Sequence, residues 1–269
     1  MLKATTFDER SILPHLKRKH KLHIYKNEGS SNTIAKALCQ KGEGEGSVVV
    51  VESQSAGRGR LGRSFLSSSE NGLYMTIILR PKIPAQYCVN ITVAGAVAVS
   101  KAIEETSGVM TGIKWVNDIY INDKKCAGIL TEASIDFEGN GLQYAVIGIG
   151  VNLCPPVGGF DPEIKEIACG VYEKEYPKGY KSILCAEIVN KFFDIYEHLD
   201  DKSYLDEYRS KSIIIGKDVD VYVGDEILSG IAVDIDANAN LVVKDENGNL
   251  YTFGSGDARV RKARDKRGI

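Results

Sequence analysis

The sequence predicts an α+β fold, in which a mixed-sheet domain with helices packed on it is followed by a small all-β barrel domain. Short apolar runs rich in β-branched residues, of which Ser47 to Val51 is the clearest, are typical of strands buried on both faces. Residues 87–106 are rich in alanine and valine over a length that favours a buried helix lying on a sheet. From about Ser212 the pattern changes to short strands separated by turn residues. We therefore predict two domains, residues 1–212 and residues 213–269.

The predicted elements of the first domain are strands and helices in mixed order. Strands are predicted at Leu22 to Tyr25, Ser47 to Val51, Leu73 to Leu79, Ile113 to Glu132 with a hairpin turn at Asn122 to Lys124, and Gln143 to Ile147. Further helices are predicted after Ser30 and over Leu184 to Leu199, where apolar residues recur every three or four positions. Residues 1–21 are polar and basic and show no core pattern. In the second domain, strands are predicted at Asp218 to Val223, Ile227 to Ile235, Leu241 to Lys244 and Leu250 to Phe253.

Composition limits the partners and the location of the protein. The chain has 269 residues, a formal net charge of -2 and a pI near 6.1, so no overall charge attracts it to nucleic acid or to an anionic membrane. None of the six cysteines forms a C-x-x-C pair, which argues against a zinc site. The amino terminus lacks the apolar core of a signal peptide, and no apolar run approaches the length of a bilayer span. We expect a cytoplasmic protein with reduced thiols and without a DNA or membrane partner.

The segment from Gln54 to Phe65 is the strongest functional signal in the chain. It places three arginines, Arg58, Arg60 and Arg63, among three glycines within seven consecutive positions. Glycine allows the backbone to approach a ligand closely, and each guanidinium offers a rigid fork of donors to a carboxylate or phosphate. The glycines also spell the G-x-G-x-x-G fingerprint of dinucleotide-binding folds, but no helix and no acidic residue follow at the required spacing. We interpret the segment as an anion-binding loop; a solvated basic loop is the alternative.

Polar side chains interrupt the apolar segment that begins at Ile113. Counting by two predicts one continuous strand with Lys114 and Asp118 on one face and Asn117 on the other. Burying such groups without partners costs roughly 1 to 3 kcal/mol each. Their presence therefore favours a site, and structural salt bridges are the alternative.

Serines and glycines mark two further candidate positions. Ser30 and Ser31 precede a predicted helix and are interpreted first as helix caps, with contacts to a small polar ligand as the alternative. Gly148 and Gly150 lie beside an apolar strand and permit close approach by a ligand or by another strand. Asn152 follows where that strand ends, as a turn residue or a ligand contact.

Three of these segments together resemble the biotin protein ligase family. They are Gln54 to Phe65, Lys114 to Leu130 with its Lys-Trp-x-Asn-Asp element, and Gly148 to Leu153. The resemblance implies a catalytic domain of the biotin/lipoate ligase type followed by a small SH3-like β-barrel domain. It implies an ATP-dependent, AMP-forming ligase that makes biotinyl-5′-AMP, with Mg²⁺ bound alongside ATP and no metal held by the protein alone. Biotin is then transferred to one lysine of a biotin carboxyl carrier protein or domain, and the ligase is compatible with a homodimer.

The resemblance also assigns roles to residues of this chain. The residues implied to bind biotin are Ser30, Ser31, Asn32, Gln54, Arg58, Gly59, Arg60 and Lys125. The residues implied on the ATP side are Lys114, Asn117, Asn152 and Arg261. As the biotin carboxylate attacks the α-phosphorus of ATP, Arg58, Arg60 and Lys125 are expected to offset the negative charge. Asp118 is expected to orient or deprotonate the carrier lysine.

The chain departs from the family pattern at three positions. Val116 stands where proline is common, Ser31 where threonine is usual and Phe65 where tryptophan is frequent. Each replacement is conservative in its expected role. The family's bifunctional members carry a helix-turn-helix domain that residues 1–21 are too few to supply, so we expect no operator binding. The alternatives are a lipoate or octanoate ligase or transferase, against which the arginine-rich segment argues, and a ligand-sensing DNA-binding repressor.

Overall fold

The computed structural model describes residues 7–63, 65, 67, 71–136 and 141–261, which form two β-sheets with α-helices packed on the first. The helices are α1 (Glu9–Ile12), α2 (Ser31–Gln40), α3 (Cys88–Ser107), α4 (Tyr180–Tyr196) and α5 (Tyr204–Ser210). The strands of the first sheet are β1 (Leu22–Glu28), β2 (Val48–Gln54), β3 (Gly72–Leu79), β4 (Gly112–Lys114), β5 (Asp118–Ile121), β6 (Lys124–Asp136) and β7 (Gly141–Asn152). The strands of the second sheet are β8 (Asp218–Val223), β9 (Glu226–Ile235), β10 (Leu241–Lys244), β11 (Leu250–Phe253) and β12 (Asp257–Val260).

The first sheet is mixed, as the sequence predicts. Its strand order is β1-β2-β3-β7-β6-β5-β4, in which β1 and β2 run parallel and the other neighbours run antiparallel. Val48 and Val50 face a core shared with α3 and α4, whereas Val49 and Val51 face a smaller core under α2. Because the first four residues of β2 are buried on both faces, they form a continuous apolar run instead of an alternating one.

The long helix α3 packs on the sheet and is buried along most of its length, which confirms the prediction for this segment. At Gly95 an added Cβ would stand 2.3 Å from Ile147 Cδ1, so the missing side chain lets the helix approach the sheet closely. The helix ends at Gly108, whose left-handed φ of 74° is typical of a helix C-terminus. None of the helices in the described part of the chain combines the length and the hydrophobicity of a membrane span.

Residues 113–119 form a hairpin, so the prediction of one continuous strand is wrong. β4 pairs antiparallel with β5, and residues 115–117 form the turn between them. Two apolar side chains in that turn, Trp115 and Val116, are each only 3% exposed. Counting by two cannot distinguish such a buried turn from a buried strand.

The residues just before β1 contribute to the main core, so the prediction of no core pattern is wrong for the described part of residues 1–21. Ile12 on α1 is fully buried against the main core. Beside it, Ser11 Oγ lies 2.8 Å from Ser182 Oγ on α4. Ile12 is the one buried residue among residues 7–21, and a single buried position gives no periodic signal, which explains the error. Residues 1–6 and 262–269, the outer ends of the two predicted domains, lie outside the described residues.

The second sheet is antiparallel and confirms the small carboxyl-terminal β domain. Its strand order is β11-β10-β9-β8-β12. The sequence does not predict β12, because that strand is four residues long and buries only Ala258. Trp115 Nε1 donates to the carbonyl oxygen of Ala239 at 3.1 Å, and Arg209 Nε donates to that of Ile235 at 2.7 Å. These bonds hold the second sheet against the first domain; a boundary at residues 212 and 213 stays a prediction.

Candidate active site

Two adjoining cavities lie between the first sheet and residues 57–63, which we call the arginine loop. The first cavity has a volume of about 480 Å³ and the second a volume of about 580 Å³. The residues that line both are Gly59, Arg60, Phe65, Asn117 and Lys125. The arginine loop therefore borders both cavities at their junction.

The first cavity brings together all the residues that the resemblance assigns to biotin. They are Ser30, Ser31, Asn32, Gln54, Arg58, Gly59, Arg60 and Lys125. The cavity joins the hydroxyl-bearing start of α2 to cationic groups on the arginine loop and β6. It thus has a neutral polar part and a positively charged part.

The start of α2 is held by a glutamine side chain and not by a serine cap. Ser30 occupies the N-cap position with an extended backbone, but its hydroxyl makes no capping hydrogen bond, so the capping interpretation is wrong for this residue. Gln54 Oε1 accepts from the backbone N–H of Ser31 at 2.8 Å, and Gln54 Nε2 donates to Ser67 Oγ at 3.0 Å. Gln54 therefore fixes the first turn of α2 relative to the segment that follows the arginine loop.

A buried hydrogen-bonded network lies behind the first cavity. Thr76 Oγ1 lies 2.8 Å from Ser31 Oγ and 2.7 Å from Asn32 Oδ1. Asn32 Nδ2 donates to the carbonyl oxygen of Leu130 at 3.2 Å and to Glu132 Oε2 at 2.9 Å. Both amide hydrogens of Asn32 are therefore used inside the protein, and Asn32 forms part of the cavity wall.

Gly148 and Gly150 on β7 make room for side chains of the cavity. An added Cβ at Gly148 would stand 2.1 Å from Asn32 Oδ1, and one at Gly150 would stand 2.7 Å from Phe65 Cε1. Side chains of Asn32 and Phe65 make a close approach to these glycines. Both glycines also line the first cavity, so close approach by a ligand stays a prediction. Any larger residue at either position would displace a residue that lines the cavity.

The two cations at the junction of the cavities, Lys125 and Arg60, contact polar side chains of the first domain. Lys125 Nζ lies 2.7 Å from Asp118 Oδ1, and Arg60 Nη1 donates to Asn117 Oδ1 at 3.3 Å. Burial lowers the pKa of the Arg60 guanidinium from its ordinary value, and the negative charge of Asp118 opposes that change. The ion pair that the sequence offered as an alternative for Asp118 is therefore present, with Lys125 as its partner.

Arg58, the third of these cations, forms an ion pair with Glu132. Its Nη1 lies 3.2 Å from Glu132 Oε1, which is also 2.8 Å from Lys36 Nζ. Burial alone would raise the pKa of Glu132, but hydrogen bonds from Lys36 and Asn32 bring it below its ordinary value. Glu132 therefore links the arginine loop to the buried network behind the cavity.

The second cavity is lined by residues from both domains. Lys114 comes from the first sheet, and Gly256 and Asp257 come from the small domain. Burial lowers the pKa of Lys114, against the opposing charges of Asp257 and Asp118. Burial alone would raise the pKa of Asp257, but the hydrogen bond and charge of Arg63 bring it below its ordinary value. This cavity is thus lined by charged groups of both signs.

Two residues assigned to the ATP side lie outside the two cavities. Asn152, at the end of β7, donates through Nδ2 to the carbonyl oxygen of Cys169 at 3.3 Å. Arg261 lies 3.2 Å from Asp218 and 3.6 Å from Asp220, measured from its guanidinium nitrogens to the carboxylate oxygens. Neither residue is among those that line the two cavities.

The structure adds Thr76, Glu132 and Asp257, which the sequence did not suggest for the site, and it pairs Asp257 with Arg63. Arg63 lies within the predicted anion-binding segment, so its sequence position was a usable signal. Thr76 and Glu132 lie within ordinary strand sequences, and their partners on α2 are distant along the chain. Asp257 belongs to the other domain. Only the folded chain brings these residues together.

Two family models match the chain in order. The Biotin/lipoate A/B protein ligase family matches residues 28–152, and the Biotin protein ligase C terminal domain matches residues 214–261. The biotin protein ligase from Aquifex aeolicus, solved in complex with biotin and ATP, superposes with a TM-score of 0.74 at 25% identity. That superposition covers 90% of this chain and 99% of the Aquifex chain.

Curated proteins with related sequences point the same way. The Bifunctional ligase/repressor BirA of Bacillus subtilis is 44% identical over 139 residues, which are 52% of this chain and 42% of that protein. The chain therefore spans less than half the length of this relative. The Biotin--[acetyl-CoA-carboxylase] ligase of Mycobacterium tuberculosis is 28% identical over 261 residues, which are 93% of this chain and 94% of that protein. With both family models matched in order and a cavity lined by every residue assigned to biotin, the chain belongs to the biotin protein ligase family.

Proposed function

We propose that this chain is a biotin protein ligase, which activates biotin with ATP to biotinyl-5′-AMP and transfers the biotin to a lysine of a biotin carboxyl carrier protein. The observation that carries the proposal is that one cavity joins the buried hydroxyls at the start of α2 to Arg58, Arg60 and Lys125. Biotin has a neutral ureido ring at one end and a carboxylate at the other. The ring needs hydroxyl and amide partners, and the carboxylate needs cations.

The positions of Arg60 and Lys125 fit the first half-reaction. A carboxylate oxygen of biotin forms a bond to the α-phosphorus of ATP, and the bond from that phosphorus to the pyrophosphate oxygen breaks. Two anions approach each other and charge grows on the leaving group, so positioned cations lower the barrier. Arg60 and Lys125 line both cavities, so each reaches the junction where the carboxylate and the α-phosphate must meet.

The arginine loop protects the product of this step. Biotinyl-5′-AMP is a mixed anhydride, which water hydrolyses, so the site must exclude water while the intermediate waits for the carrier. The loop borders both cavities and is tied to the small domain by Arg63 and Asp257. In this position it covers the place where the anhydride forms.

Asp118 serves the second half-reaction. The neutral amine of the carrier lysine forms a bond to the acyl carbon of biotinyl-5′-AMP, the bond from that carbon to the phosphate oxygen breaks so that AMP leaves, and the nitrogen gives up one proton as the amide forms. Lys125 engages Oδ1 of Asp118, so Oδ2 is the oxygen that can accept a hydrogen bond from the incoming amine. The amine is thereby oriented toward the end of the first cavity where Lys125 lies.

A Mg²⁺ ion at this site would be bound together with ATP. Among the residues that the structure describes, no group of three His, Cys, Asp or Glu side chains lies close enough to hold a metal ion. Asn117 Oδ1 and Asp118 Oδ1 already contact Arg60 and Lys125. The residues present therefore do not fit a protein-bound Mg²⁺, and the ion would be held chiefly by phosphates and water.

Biotin-dependent exchange of pyrophosphate into ATP tests the proposal directly. We expect the purified chain to catalyse exchange only when biotin is present, and then to label a biotin carboxyl carrier domain. Exchange that depends on lipoate and does not respond to biotin would overturn the proposal. A matched reaction without the carrier separates adenylate formation from transfer.

Location and assembly stay predictions. We expect the protein in the cytoplasm, as a possible homodimer and without affinity for DNA. Light scattering coupled to size-exclusion chromatography measures the mass in solution. Tight binding to a DNA site at physiological salt would contradict the prediction about DNA.

A further inference from the structure

Thr76 on β3 is fully buried behind the first cavity and contacts two polar groups at once. Its Oγ1 lies 2.8 Å from Ser31 Oγ and 2.7 Å from Asn32 Oδ1. A threonine hydroxyl carries one proton, so it can donate to only one of these oxygens. The other contact must run in the opposite direction, with Thr76 as acceptor.

The orientation of the Asn32 amide decides in which contact Thr76 donates and in which it accepts. Its amide nitrogen faces two acceptors, the carbonyl oxygen of Leu130 and the carboxylate of Glu132, so its amide oxygen is the atom that faces Thr76. An amide oxygen cannot donate. Thr76 therefore donates to Asn32 and accepts its second hydrogen bond from the hydroxyl of Ser31.

Ser31 consequently has no donor left for a ligand. Its hydroxyl proton points inward to Thr76, and its backbone N–H donates to Gln54 Oε1 at 2.8 Å. Ser31 nevertheless lines the first cavity and is 5% exposed. The lone pair of its hydroxyl oxygen is what remains to face a bound molecule.

We propose that Thr76 is a positioning residue that makes Ser31 a hydrogen-bond acceptor, so that this wall of the cavity selects ligands with an N–H group. The inference rests on the proposed function, because the ureido ring of biotin carries two N–H groups. A ring oxygen or sulfur at the same place, as in the dithiolane of lipoate, has no proton to donate. A site built around a hydrogen bond rejects an analogue that lacks it, because the polar group of the site is then left unpaired.

Calorimetric titration of biotin into paired variants tests this chain of hydrogen bonds. Thr76→Val keeps the shape of the side chain without the hydroxyl, and we expect biotin binding to weaken about 10-fold, the loss of one net hydrogen bond. Thr76→Ser keeps the hydroxyl and should bind within about twofold of the unmodified protein. In a Ser31→Ala background the valine substitution should change the Kd by less than about twofold, since it acts through Ser31. An equal loss in both backgrounds would overturn the proposal.

Thr92→Val is the matched control, because Thr92 is another buried threonine whose Oγ1 donates to a hydroxyl, that of Thr131, at 2.8 Å. It should leave the Kd for biotin within about twofold, since it has no contact with Ser31. Thermal unfolding of every variant confirms that the titrated samples are folded. A protein that does not bind biotin at all overturns the proposed function itself. A protein that binds biotin equally well with Thr76→Val overturns this inference alone.

A ligand-side measurement needs no change at Thr76. Two biotin analogues, each with one ureido N–H replaced by a ring oxygen, are titrated into the unmodified protein and into Ser31→Ala. We expect at least one analogue to bind the unmodified protein about 100-fold more weakly than biotin, and to recover part of this loss in Ser31→Ala. Binding of both analogues as tight as that of biotin would overturn the proposal.

Discussion

Arg63 and Asp257 form an ion pair, with Nη2 and Oδ2 2.7 Å apart, that joins the arginine loop to the last strand of the small domain. Both residues line the second cavity, where the side chain of Asp257 is 16% exposed and that of Arg63 is 60% exposed. The same carboxylate lies 3.2 Å from Arg259 on its own strand. The position of the arginine loop over the site therefore depends on both domains.

Asp257→Asn should loosen the arginine loop without unfolding the protein. A partly exposed ion pair contributes about 0 to 1 kcal/mol, so we expect the free energy of unfolding to change by less than about 1 kcal/mol. Trypsin should cleave the loop up to about fivefold faster, because a loop without this ion pair opens more easily. The substitution leaves the loop's own arginines in place as cleavage sites. Asp234→Asn is the control, since Asp234 pairs with Arg209 and does not touch the loop. Unchanged cleavage in Asp257→Asn would show that the pair does not hold the loop.

Lys125→Ala should impair adenylate formation far more than folding. Lys125 lines both cavities and pairs with Asp118, and the loss of one charge-assisted contact is worth roughly 1.5 to 3 kcal/mol. Biotin-dependent pyrophosphate exchange should therefore fall about 10-fold to 150-fold. The neighbouring Lys124 contacts the carbonyl oxygen of Lys165 outside the cavities, so Lys124→Ala should keep exchange within about twofold. Equal losses in the two variants would remove the role assigned to Lys125.

The elements of the fold that local sequence specifies were predictable. The continuous valine run of β2 has few alternatives to a doubly buried strand, and the turn at Asn122 and Asp123 takes the left-handed φ angles, 47° and 63°, that its residue types favour. The turn at Trp115 was not predictable, because it contains two buried apolar residues, Trp115 and Val116, and tertiary packing fixes its course. Likewise, the one buried side chain of β12 gives no pattern to read.

The candidate site was also predictable only in part from the sequence. The arginine loop is continuous in sequence, so its composition alone indicated anion binding. The partners of its arginines are not continuous with it: Arg58 meets Glu132 and Arg63 meets Asp257, from 74 and 194 residues away. The packing of the sheets determines which carboxylate each of these arginines contacts, and no local propensity encodes that choice.

Gly148→Ala should displace the residues that form the wall of the first cavity. Gly148 pairs with Thr76 on one side and Leu130 on the other, and its added Cβ would stand 2.1 Å from Asn32 Oδ1. Asn32 must then move, at a cost of about 1 to 3 kcal/mol for overpacking, and the wall that carries Ser31 moves with it. We expect biotin affinity measured by calorimetry to fall at least about 10-fold. Gly44→Ala is the control, because no atom lies within 4 Å of its added Cβ; a matching loss there would point to a general effect of the substitution.

Glu43 should make the stability of the first domain sensitive to acid. The hydrogen bond from Lys21 is the main cause that lowers the pKa of Glu43 from 4.5 to about 2, with Ser47 adding a further bond and burial opposing both. Because the folded pKa lies below the unfolded one, this carboxylate stabilises the fold above pH 4.5 and loses that effect as the pH falls toward about 2. Urea unfolding across this range should show Glu43→Gln less stable than the unmodified protein at high pH, with a difference that shrinks below pH 4.5. Glu226→Gln, at an exposed position on β9, should follow the unmodified protein throughout. A difference for Glu43→Gln that stays constant with pH would contradict the assignment, because linkage requires it to follow the protonation of this one carboxylate.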